Sequence, residues 1–388
     1  MSVDRTLKEL ISGKIKTLND SAKLSPLAQE LKGWINTGNW GCIESYLSTL
    51  PHDQYDANTY LAKGLLLTYG PLEHRDLDQA LESLESSYRL EPDGLHCLNS
   101  LSEILLQTKQ YKKSLMFAQK ARRANPKNAM AAVALGRAAW ACRNKVLAYD
   151  NFQEALGLLP DDFSPVRQQV NKTVFKLAPF WWSSLKGKSV TLVRMGTQHR
   201  DFILKCRNNV SFRSHYNLFH KTTPEDVQID LKESERLPLE NNKIEWVVEK
   251  NGVPIGLAAL VDLDLGNSRA EILVGFPDDV PARNTVESAL LVLEFAFSTL
   301  GLGKVYSYVY SDNPCGQRNT LHLGFEQEGF LKSHVKSPVS NMRLDLYVNG
   351  CLPEMFFNNG AVMKMARRLL GRIPQRKGGA LSLYKQDL

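Results

Sequence analysis

The spacing of apolar residues changes character about halfway along the chain. Between Pro26 and residue 177 apolar residues recur every three or four positions, which predicts amphipathic helices. From residue 189 onward, runs such as SVTLVRM and KIEWVVEK alternate apolar and polar residues, which predicts strands. We therefore predict a multidomain fold, in which an all-α region precedes an α/β region with a mixed, mostly antiparallel sheet flanked by helices. The predicted segments are a polar N-terminal stretch (1–25), the helical region (26–177), an aromatic linker (178–188), the α/β domain (189–350) and a basic tail (351–388).

The helical region contains an internal repeat. Pro92, Pro126 and Pro160 are spaced by 34 residues, and small or apolar residues recur at fixed distances before each proline. The recurring residues are Ala80, Ser114 and Ala148, then Leu84, Ala118 and Phe152, then Ser87, Ala121 and Ala155, with Gly64, Ser102 and Gly136 earlier in each unit. This pattern resembles the tetratricopeptide repeat, in which helical hairpins stack because one hairpin cannot bury its own apolar face. The resemblance implies a concave groove that holds a protein or peptide partner; the alternative is a scaffold that only orients the next domain.

The most informative stretch of the α/β region runs from Glu271 to Phe330. It predicts, in order, a strand (271–276), a loop, an amphipathic helix, a second strand (305–310), a short helix and a third strand. The long helix shows an apolar stripe with i, i+3, i+4, i+7 spacing and ends at Gly301. The stretch therefore predicts two strands connected through a helix that covers one face of the sheet.

This order and its spacing resemble the core of the GNAT acyl-coenzyme A-dependent N-acetyltransferases, nearest the branch that acetylates protein N-termini. The family's turn after the helix is matched by Leu300-Gly301-Leu302-Gly303-Lys304-Val305, and its Asn eleven residues before a Gly-Phe pair is matched by Asn313 and Gly324-Phe325. With weaker flanking similarity, the resemblance covers roughly Val190 to Val348. It implies an acetyl-coenzyme A donor and an amine acceptor on a protein, a peptide or an amino sugar.

The resemblance also implies where the coenzyme binds. The predicted cofactor-binding residues are Val274, Gly275, Phe276, Arg283, Asn284, Thr285 and Val286, together with Asn313 at the end of the next strand. The family places glycines in the loop so that backbone N–H groups can approach the pyrophosphate at a helix N-terminus. Here those positions fall at about Ala282 and Asn284, so the pyrophosphate cradle is either altered, with Arg283 adding charge, or lost.

Glu271 and Glu245 are the predicted catalytic residues. Acetyl transfer to an amine requires a base that removes the ammonium proton, since the thioester is already activated. The strand position of Glu271 matches an acidic residue that is frequent in related enzymes, and Glu245 lies on an opposing part of the sheet. The alternative for Glu271 is a structural pairing with a neighbouring cation. The position at which some branches carry an acid tyrosine is Thr320 in this chain.

Two segments outside the core carry further predictions. Phe180-Trp181-Trp182 is too apolar for a free linker, and we predict that it packs between the two domains rather than forming an exposed membrane or ligand patch. In the basic tail, residues 362–370 predict an amphipathic helix. This helix either docks on the body of the protein or contacts an anionic surface.

Four further predictions concern individual segments of the chain. Residues 162–177 are expected to form a capping helix after the repeats, and residues 213–219 a second short helix of the α/β domain. Residues 221–242 are polar and charged, and are predicted to be a loop. Asn251-Gly252 separates two strand-like runs and predicts the two-residue turn of a β-hairpin.

Composition limits the remaining possibilities. The chain has 388 residues, enough for two or three domains, and a formal net charge of +7, which is mild for this length and does not require nucleic acid as a partner. No apolar run approaches the length of a membrane span, and the N-terminus lacks the apolar core of a signal peptide. The six cysteines form no CxxC pair and have no histidine at metal-ligand spacing. We therefore expect reduced thiols, no metal site, no nucleic acid, no integral membrane segment and a cytoplasmic protein.

Three functions remain open from the sequence. The first is a GNAT-type N-acetyltransferase whose helical repeats recruit or orient a protein partner. The second is an interaction or adaptor protein in which the GNAT domain is catalytically degenerate. The third is an acyltransferase whose donor is an acyl-carrier protein. That donor has no nucleotide pyrophosphate, so a glycine-poor loop would matter less, and a basic surface would suit an acidic carrier.

Overall fold

The computed structural model describes residues 26–160, 165–216, 220–234, 237–340, 342–377 and 379–381. The chain divides into two compact units, 1–177 and 178–388. The predicted N-terminal stretch 1–25 lies outside the described residues. Within the described part of the chain, no helix is both long enough and apolar enough to cross a lipid bilayer.

The first unit is built from helices joined by short connections. The helices are α1 (Pro26–Thr37), α2 (Trp40–Thr49), α3 (Ala57–Tyr69), α4 (Leu77–Leu90), α5 (Leu95–Gln107), α6 (Tyr111–Ala124), α7 (Ala129–Ala141), α8 (Lys145–Leu158) and α9 (Pro165–Leu177). Helices α3 and α4, α5 and α6, and α7 and α8 pack as hairpins. The predicted capping helix corresponds to α9, and its first residues, 162–164, lie outside the described part. A helical region is therefore confirmed, whereas its assignment to the tetratricopeptide class stays a prediction.

The repeated small residues lie where the two helices of each hairpin meet. All nine residues that recur before the prolines are buried, as are the three earlier ones. In the second hairpin, the Ser114 hydroxyl donates to the Ser102 carbonyl over 2.7 Å. In the first and third hairpins a glycine takes the place of Ser102, and the facing side chains are Leu84 and Phe152. Small residues at these positions allow the two helices to approach closely.

Replacing Gly64 with alanine is expected to destabilise the first unit by about 1–3 kcal/mol, the usual cost of overpacking a core. An added Cβ would lie 2.6 Å from the Leu84 Cγ and 3.2 Å from the Ala80 carbonyl oxygen. Urea unfolding followed by circular dichroism measures the loss. The matched control is Gly157→Ala in α8, where an added Cβ has no neighbour within 4 Å. Alanine favours helix by up to about 1 kcal/mol over glycine, so an equal loss in both variants would contradict the packing argument.

The second unit is organised around an eight-stranded sheet of order β1-β2-β3-β4-β5-β6-β8-β7. The strands are β1 (Leu185–Lys186), β2 (Thr191–Arg194), β3 (Ile244–Lys250), β4 (Val253–Asp264), β5 (Arg269–Gly275), β6 (Lys304–Tyr310), β7 (Glu326–Lys336) and β8 (Arg343–Cys351). Neighbouring strands are antiparallel except β5 and β6, which are parallel. The predicted mixed, mostly antiparallel sheet is therefore confirmed. Asn251 and Gly252 have positive φ angles, 51° and 77°, and join β3 to β4 as the predicted two-residue turn.

Helices cover both faces of this sheet. They are α10 (Arg200–Asn208), α11 (Val210–His215), α12 (Pro224–Ser234), α13 (Pro238–Asn241), α14 (Ala282–Glu294), α15 (Pro314–His322), α16 (Pro353–Phe357) and α17 (Gly360–Leu370). On one face, α10, α11 and α12 pack over Val247 and Leu257. On the other face, α14 packs against the sheet and continues as a π-helical turn (Phe295–Leu300) that ends at Gly301, φ 79°. The stop that the sequence predicted at Gly301 is therefore present.

The prediction of a loop over residues 221–242 is wrong. Helix α12 lies there and buries Val227 and Leu231, two apolar residues spaced by one helical turn. Thr223 and Asp226 bond to each other's backbone N–H groups at its N-terminus, a capping signal that was readable in the sequence. The short helix predicted at 213–219 is α11, which begins earlier, at Val210; residues 217–219 lie outside the described part.

The aromatic segment and the basic tail both contribute to the second unit. Trp181 is completely buried, and its ring packs against Phe295 with a centroid distance of 6.2 Å. Placement of this segment between the two domains stays a prediction. Helix α17 buries Val362, Ala366, Leu369 and Leu370 and exposes its arginines, as the docking interpretation of the tail requires.

Candidate active site

Strands β5 and β6 form a wedge. They pair at three successive rows, the last of which joins Glu271 to Tyr306, and then separate. Beyond that row, residues 272–275 of β5 still pair with β4 but with no residue of β6. The separation leaves a cavity of about 150 Å³, lined on its two sides by Ile272, Leu273 and Val274 of β5 and by residues 307–310 of β6. Backbone polar groups that would have bonded across the pair therefore face an open space.

The N-terminus of α14 adjoins the wedge. Thr285 and Val286, in the first turns of this helix, line the cavity. The helix begins at Ala282 after Pro281, and N–H groups of a first turn have no intrahelical acceptor, which gives this end a partial positive charge. The exposed Arg283 side chain donates to the Ser189 hydroxyl. An anion near this end of α14 would therefore meet both the helix dipole and a guanidinium group.

Asn284, one of the predicted cofactor-binding residues, has a buried side chain. Its side chain is 1% exposed, and its Oδ1 has no hydrogen-bond partner among the described residues. Its backbone N–H donates to the Pro281 carbonyl over 2.8 Å. The Asn284 side chain is buried and does not line the cavity, so it has no direct access to an anion bound there.

Asn313 lies where β6 ends and lines the cavity. Its Oδ1 accepts a hydrogen bond from the Gly316 N–H over 2.8 Å, which caps α15. A Cβ at Gly316 would lie 2.5 Å from the Asn313 Nδ2, so glycine is needed there to admit the amide. The cap fixes the Asn313 side chain at the mouth of the wedge.

Gly275 and Phe276 end β5 beside an aromatic contact. A Cβ added at Gly275 would lie 2.2 Å from a ring carbon of Tyr216. The Phe276 ring in turn packs on Gly256 of β4, where an added Cβ would lie 2.5 Å from it. The two glycines thus allow aromatic rings to lie directly on the backbone at the end of the wedge.

Glu271 lies at the apex of the wedge, in the last paired row. Burial and the nearby charge of Asp262 raise the pKa of its carboxyl to about 7, although a hydrogen bond from the Tyr308 backbone N–H acts in the opposite direction. Asp262 also accepts a hydrogen bond from the Tyr306 hydroxyl, and burial together with this contact raises the pKa of the phenol. A carboxyl with a pKa near neutrality can accept and release a proton under physiological conditions.

Glu245 lies elsewhere on the sheet. It is in the row that runs from β3 through Ala259 to Leu273, two strands from β5 and therefore about 10 Å away. Its carboxylate forms an ion pair with Lys243 over 3.1 Å. The structure therefore places Glu271 in the row where the wedge opens, next to the lining residue Ile272, and Glu245 two strands away from β5; neither side chain lines the cavity.

Sequence reasoning missed two residues of this region, Tyr216 and Asp262. Tyr216 follows α11 and lines the cavity, although it is more than fifty positions before β5. Asp262 has a positive φ of 50° at an irregularity where β4 and β5 change register. No local signal marks either residue, because each reaches the site through strand pairing and helix packing.

A comparison with protein families matches residues 189–326 to the acetyltransferase (GNAT) domain. The match includes β5, the loop, α14, β6 and α15, the elements that form the wedge. Residues 189–326 form a GNAT acetyltransferase domain. The prediction of a GNAT-type N-acetyltransferase is thereby confirmed at the level of this domain.

Relatives of the GNAT domain include bacterial acetyltransferases. The chain is 27% identical over 157 residues to the uncharacterized N-acetyltransferase YoaA of Bacillus subtilis, covering 39% of this chain and 87% of that protein. Spermidine N-acetyltransferase from Vibrio cholerae, solved with CoA and spermine, is 22% identical over 44% of this chain and 99% of its own, with a TM-score of 0.38. RimL, a ribosomal L7/L12 alpha-N-protein acetyltransferase solved with CoA, is 10% identical over 44% of this chain and 98% of its own, with a TM-score of 0.41.

The described residues contain neither a metal-binding cluster nor a paired cysteine. No group of three or more His, Cys, Asp and Glu side chains in that part of the chain could hold a metal ion. The six cysteines are all unpaired, and three of them, Cys97, Cys206 and Cys351, are buried. Burial raises the pKa of each of these three thiols, which disfavours the reactive thiolate.

Proposed function

We propose that the second unit transfers the acetyl group of acetyl-coenzyme A to a primary amine and that Glu271 is the general base. The observation that carries this proposal is the carboxyl of pKa about 7 at the apex of an open β-wedge. The acceptor enters as an ammonium ion and gives a proton to Glu271, which later returns it to solvent. The N–C bond then forms as the C–S bond breaks, and a second proton from the nitrogen reaches the departing sulfur.

The residues present fit the coenzyme. Bound acetyl-coenzyme A would supply an activated thioester. Residues 272–275 of β5 expose backbone groups to the cavity, and these groups suit the amides of a pantetheine arm. The N-terminus of α14 and Arg283 suit the pyrophosphate. Because the loop lacks the family's glycines, the pyrophosphate site would be an altered one that relies on the helix N-terminus and Arg283. The open wedge supports a catalytically active domain over a degenerate one.

We further propose a role for the first unit and a cellular context. The small residues buried in three successive hairpins support tetratricopeptide-type stacking, and such a stack would present a groove for a protein or peptide partner. In this proposal the partner is the protein that carries the acceptor amine. A cytoplasmic location would supply both coenzyme and acceptor. An acyl-carrier protein remains the alternative donor, and its phosphopantetheine would use the wedge but not the α14 terminus.

Thermal unfolding with acetyl-coenzyme A tests the proposed donor. A ligand that binds the folded state alone stabilises it by linkage, so a hundredfold excess over Kd is expected to add about 2.7 kcal/mol. Arg283→Glu places a negative charge at the α14 N-terminus and is expected to weaken binding at least tenfold. Lys332→Glu, an exposed charge reversal on β7, is the matched control and should bind as the wild type does.

Two outcomes would contradict this assignment. If millimolar acetyl-coenzyme A leaves the unfolding temperature unchanged, the coenzyme is not the donor. If the shift survives Arg283→Glu unaltered, the α14 terminus is not the pyrophosphate site. An acylated carrier protein that is retained on the immobilised protein at low salt, combined with no coenzyme shift, would favour the carrier-protein donor.

A further inference from the structure

Tyr216 closes one side of the wedge. The other described residues that line the cavity belong to the stretch from β5 to the start of β7, whereas Tyr216 follows α11, before β3. Helix α11 lies on the sheet face covered by α10 and α12, which is opposite the face covered by α14. Tyr216 therefore forms the wall on the side away from the proposed pyrophosphate site.

The Tyr216 ring is held by three contacts. It stacks on Phe212, with a centroid distance of 4.1 Å and an interplanar angle of 13°. Its hydroxyl donates to the Leu257 carbonyl over 3.4 Å. Its ring edge lies on Gly275, where even one added methyl carbon would be 2.2 Å away. Phe212 is itself 2% exposed, so the stacked pair has no room to move back.

The space in front of this wall is small. The cavity of about 150 Å³ is comparable to cavities that hold a molecule the size of benzene. The pantetheine arm would occupy part of the same cavity, so little of its volume beside Tyr216 is left for the acyl group. A longer acyl chain would need the space that the Tyr216 ring occupies. Behind the ring lie Phe212, Leu257, Cys206 and Ile203, so any space gained there would be apolar and would suit an alkyl chain.

We propose that Tyr216 sets the acyl-chain length and restricts the donor to acetyl thioesters. The inference rests on the proposed donor function and adds the acyl specificity that the sequence left open. The ring volume is the decisive property, because the ring lies directly on Gly275 while the hydroxyl is already bonded to the Leu257 carbonyl. Tyr216 is thus a specificity-determining residue, and no proton transfer is assigned to its phenol.

The test measures dissociation constants for free coenzyme A, acetyl-coenzyme A and butyryl-coenzyme A by thermal shift and calorimetry. The variants are Tyr216→Ala, Tyr216→Leu and Tyr216→Phe, with Tyr347→Ala as a matched truncation outside the cavity. We expect the wild type, Tyr216→Phe and Tyr347→Ala to bind acetyl-coenzyme A at least tenfold more tightly than butyryl-coenzyme A. Tyr216→Ala is expected to gain at least tenfold for butyryl-coenzyme A while binding free coenzyme A within threefold of the wild type.

Each result separates the inference from the function on which it rests. Failure of all three ligands to bind the wild type would overturn the proposed donor. Equal wild-type affinity for acetyl- and butyryl-coenzyme A would overturn the length limit alone. An unchanged preference in Tyr216→Ala would also overturn it, as would a gain for butyryl-coenzyme A in Tyr216→Phe, since that variant keeps the ring. Binding of free coenzyme A shows that a variant is folded. If Tyr216→Ala does not bind free coenzyme A, Tyr216→Leu takes its place in the comparison.

Discussion

Replacing Glu271 with glutamine is expected to lower kcat/KM by about 10²- to 10⁴-fold, the usual contribution of a positioned general base. Glutamine keeps the size of the side chain and can still pack at the wedge apex, but it cannot take a proton from an ammonium ion. Binding of acetyl-coenzyme A should change less than threefold, because the substitution leaves the cavity lining intact. The loss therefore belongs to the chemical step and not to assembly of the site.

The measurement uses coenzyme A release detected with a thiol reagent and three amine probes: spermidine, glucosamine and a peptide with a free N-terminus. The matched control is Glu328→Gln, an exposed residue of β7 that pairs with Lys304 over 2.7 Å. We expect full activity in this control. A larger loss in Glu245→Gln than in Glu271→Gln would show that the base is Glu245 and that the assignment made here is wrong.

The pH dependence follows from the same carboxyl. Glu271 must be ionised to act as a base, so kcat/KM should rise about tenfold per pH unit below pH 7 and level off above it. The stability effect has the opposite sign. The folded carboxyl holds its proton more tightly than the unfolded chain, whose pKa is near the ordinary 4.5, so its contribution to stability is complete below that pH and is lost as pH rises through about 7. Glu271→Gln should remove both effects, and an unchanged pH profile would contradict the assignment.

Replacing Trp181 with alanine is expected to destabilise the second unit by about 3–5 kcal/mol, the range for large aromatic residues removed from a core. Trp181 is completely buried and packs against Phe295, whose ring also lies 5.3 Å from Trp246 of β3. Truncation would leave a cavity beside the turn that extends α14, and the remaining rings of Phe295 and Trp246 could not close it without moving the helix. Guanidinium unfolding followed by tryptophan fluorescence measures the change.

Phe180→Ala provides the comparison for this aromatic cluster. Phe180 is adjacent in sequence and contacts the same Phe295 ring, but it remains partly exposed. We expect less than half the loss seen for Trp181→Ala, because part of the Phe180 side chain already faces water. Equal losses in the two variants, or a loss below about 1 kcal/mol for Trp181→Ala, would contradict the central position of Trp181 in the core of the second unit.

Periodic patterns were reliable where one face of an element is buried. The stripe that predicted α14 is buried except for the half-buried Val286, its end at Gly301 is present, and the alternation around Asn251-Gly252 gave the β3–β4 hairpin. The proline spacing likewise located small residues that are buried between paired helices. The pattern failed at α12 because only two of its apolar residues, Val227 and Leu231, face the core, too few to outweigh its many charges.

The candidate site likewise contains some features that the sequence indicated and others that only the structure revealed. The family resemblance implied roles for Glu271 and Asn313, which lie where β5 and β6 part and where β6 ends, and these roles stay predictions. The distance of Glu245 from the wedge could not be predicted from the sequence, because it depends on how many strands separate β3 from β5. Nor could the sequence show that Asn284 is buried, since that depends on how α14 is rotated against its surroundings.

The sequence by itself determined the order of elements, the helical repeat and the strand–helix–strand passage, because each is encoded by residues a few positions apart. Only the tertiary structure decided that β5 and β6 part after Glu271, that Asp262 comes near its carboxyl and that Tyr216 closes the wedge on Gly275. The physical reason is that burial, charge proximity and cavity size arise between segments far apart in the chain. The pKa of Glu271 and the size of the space beside it are therefore properties of the packed sheet and not of any local motif.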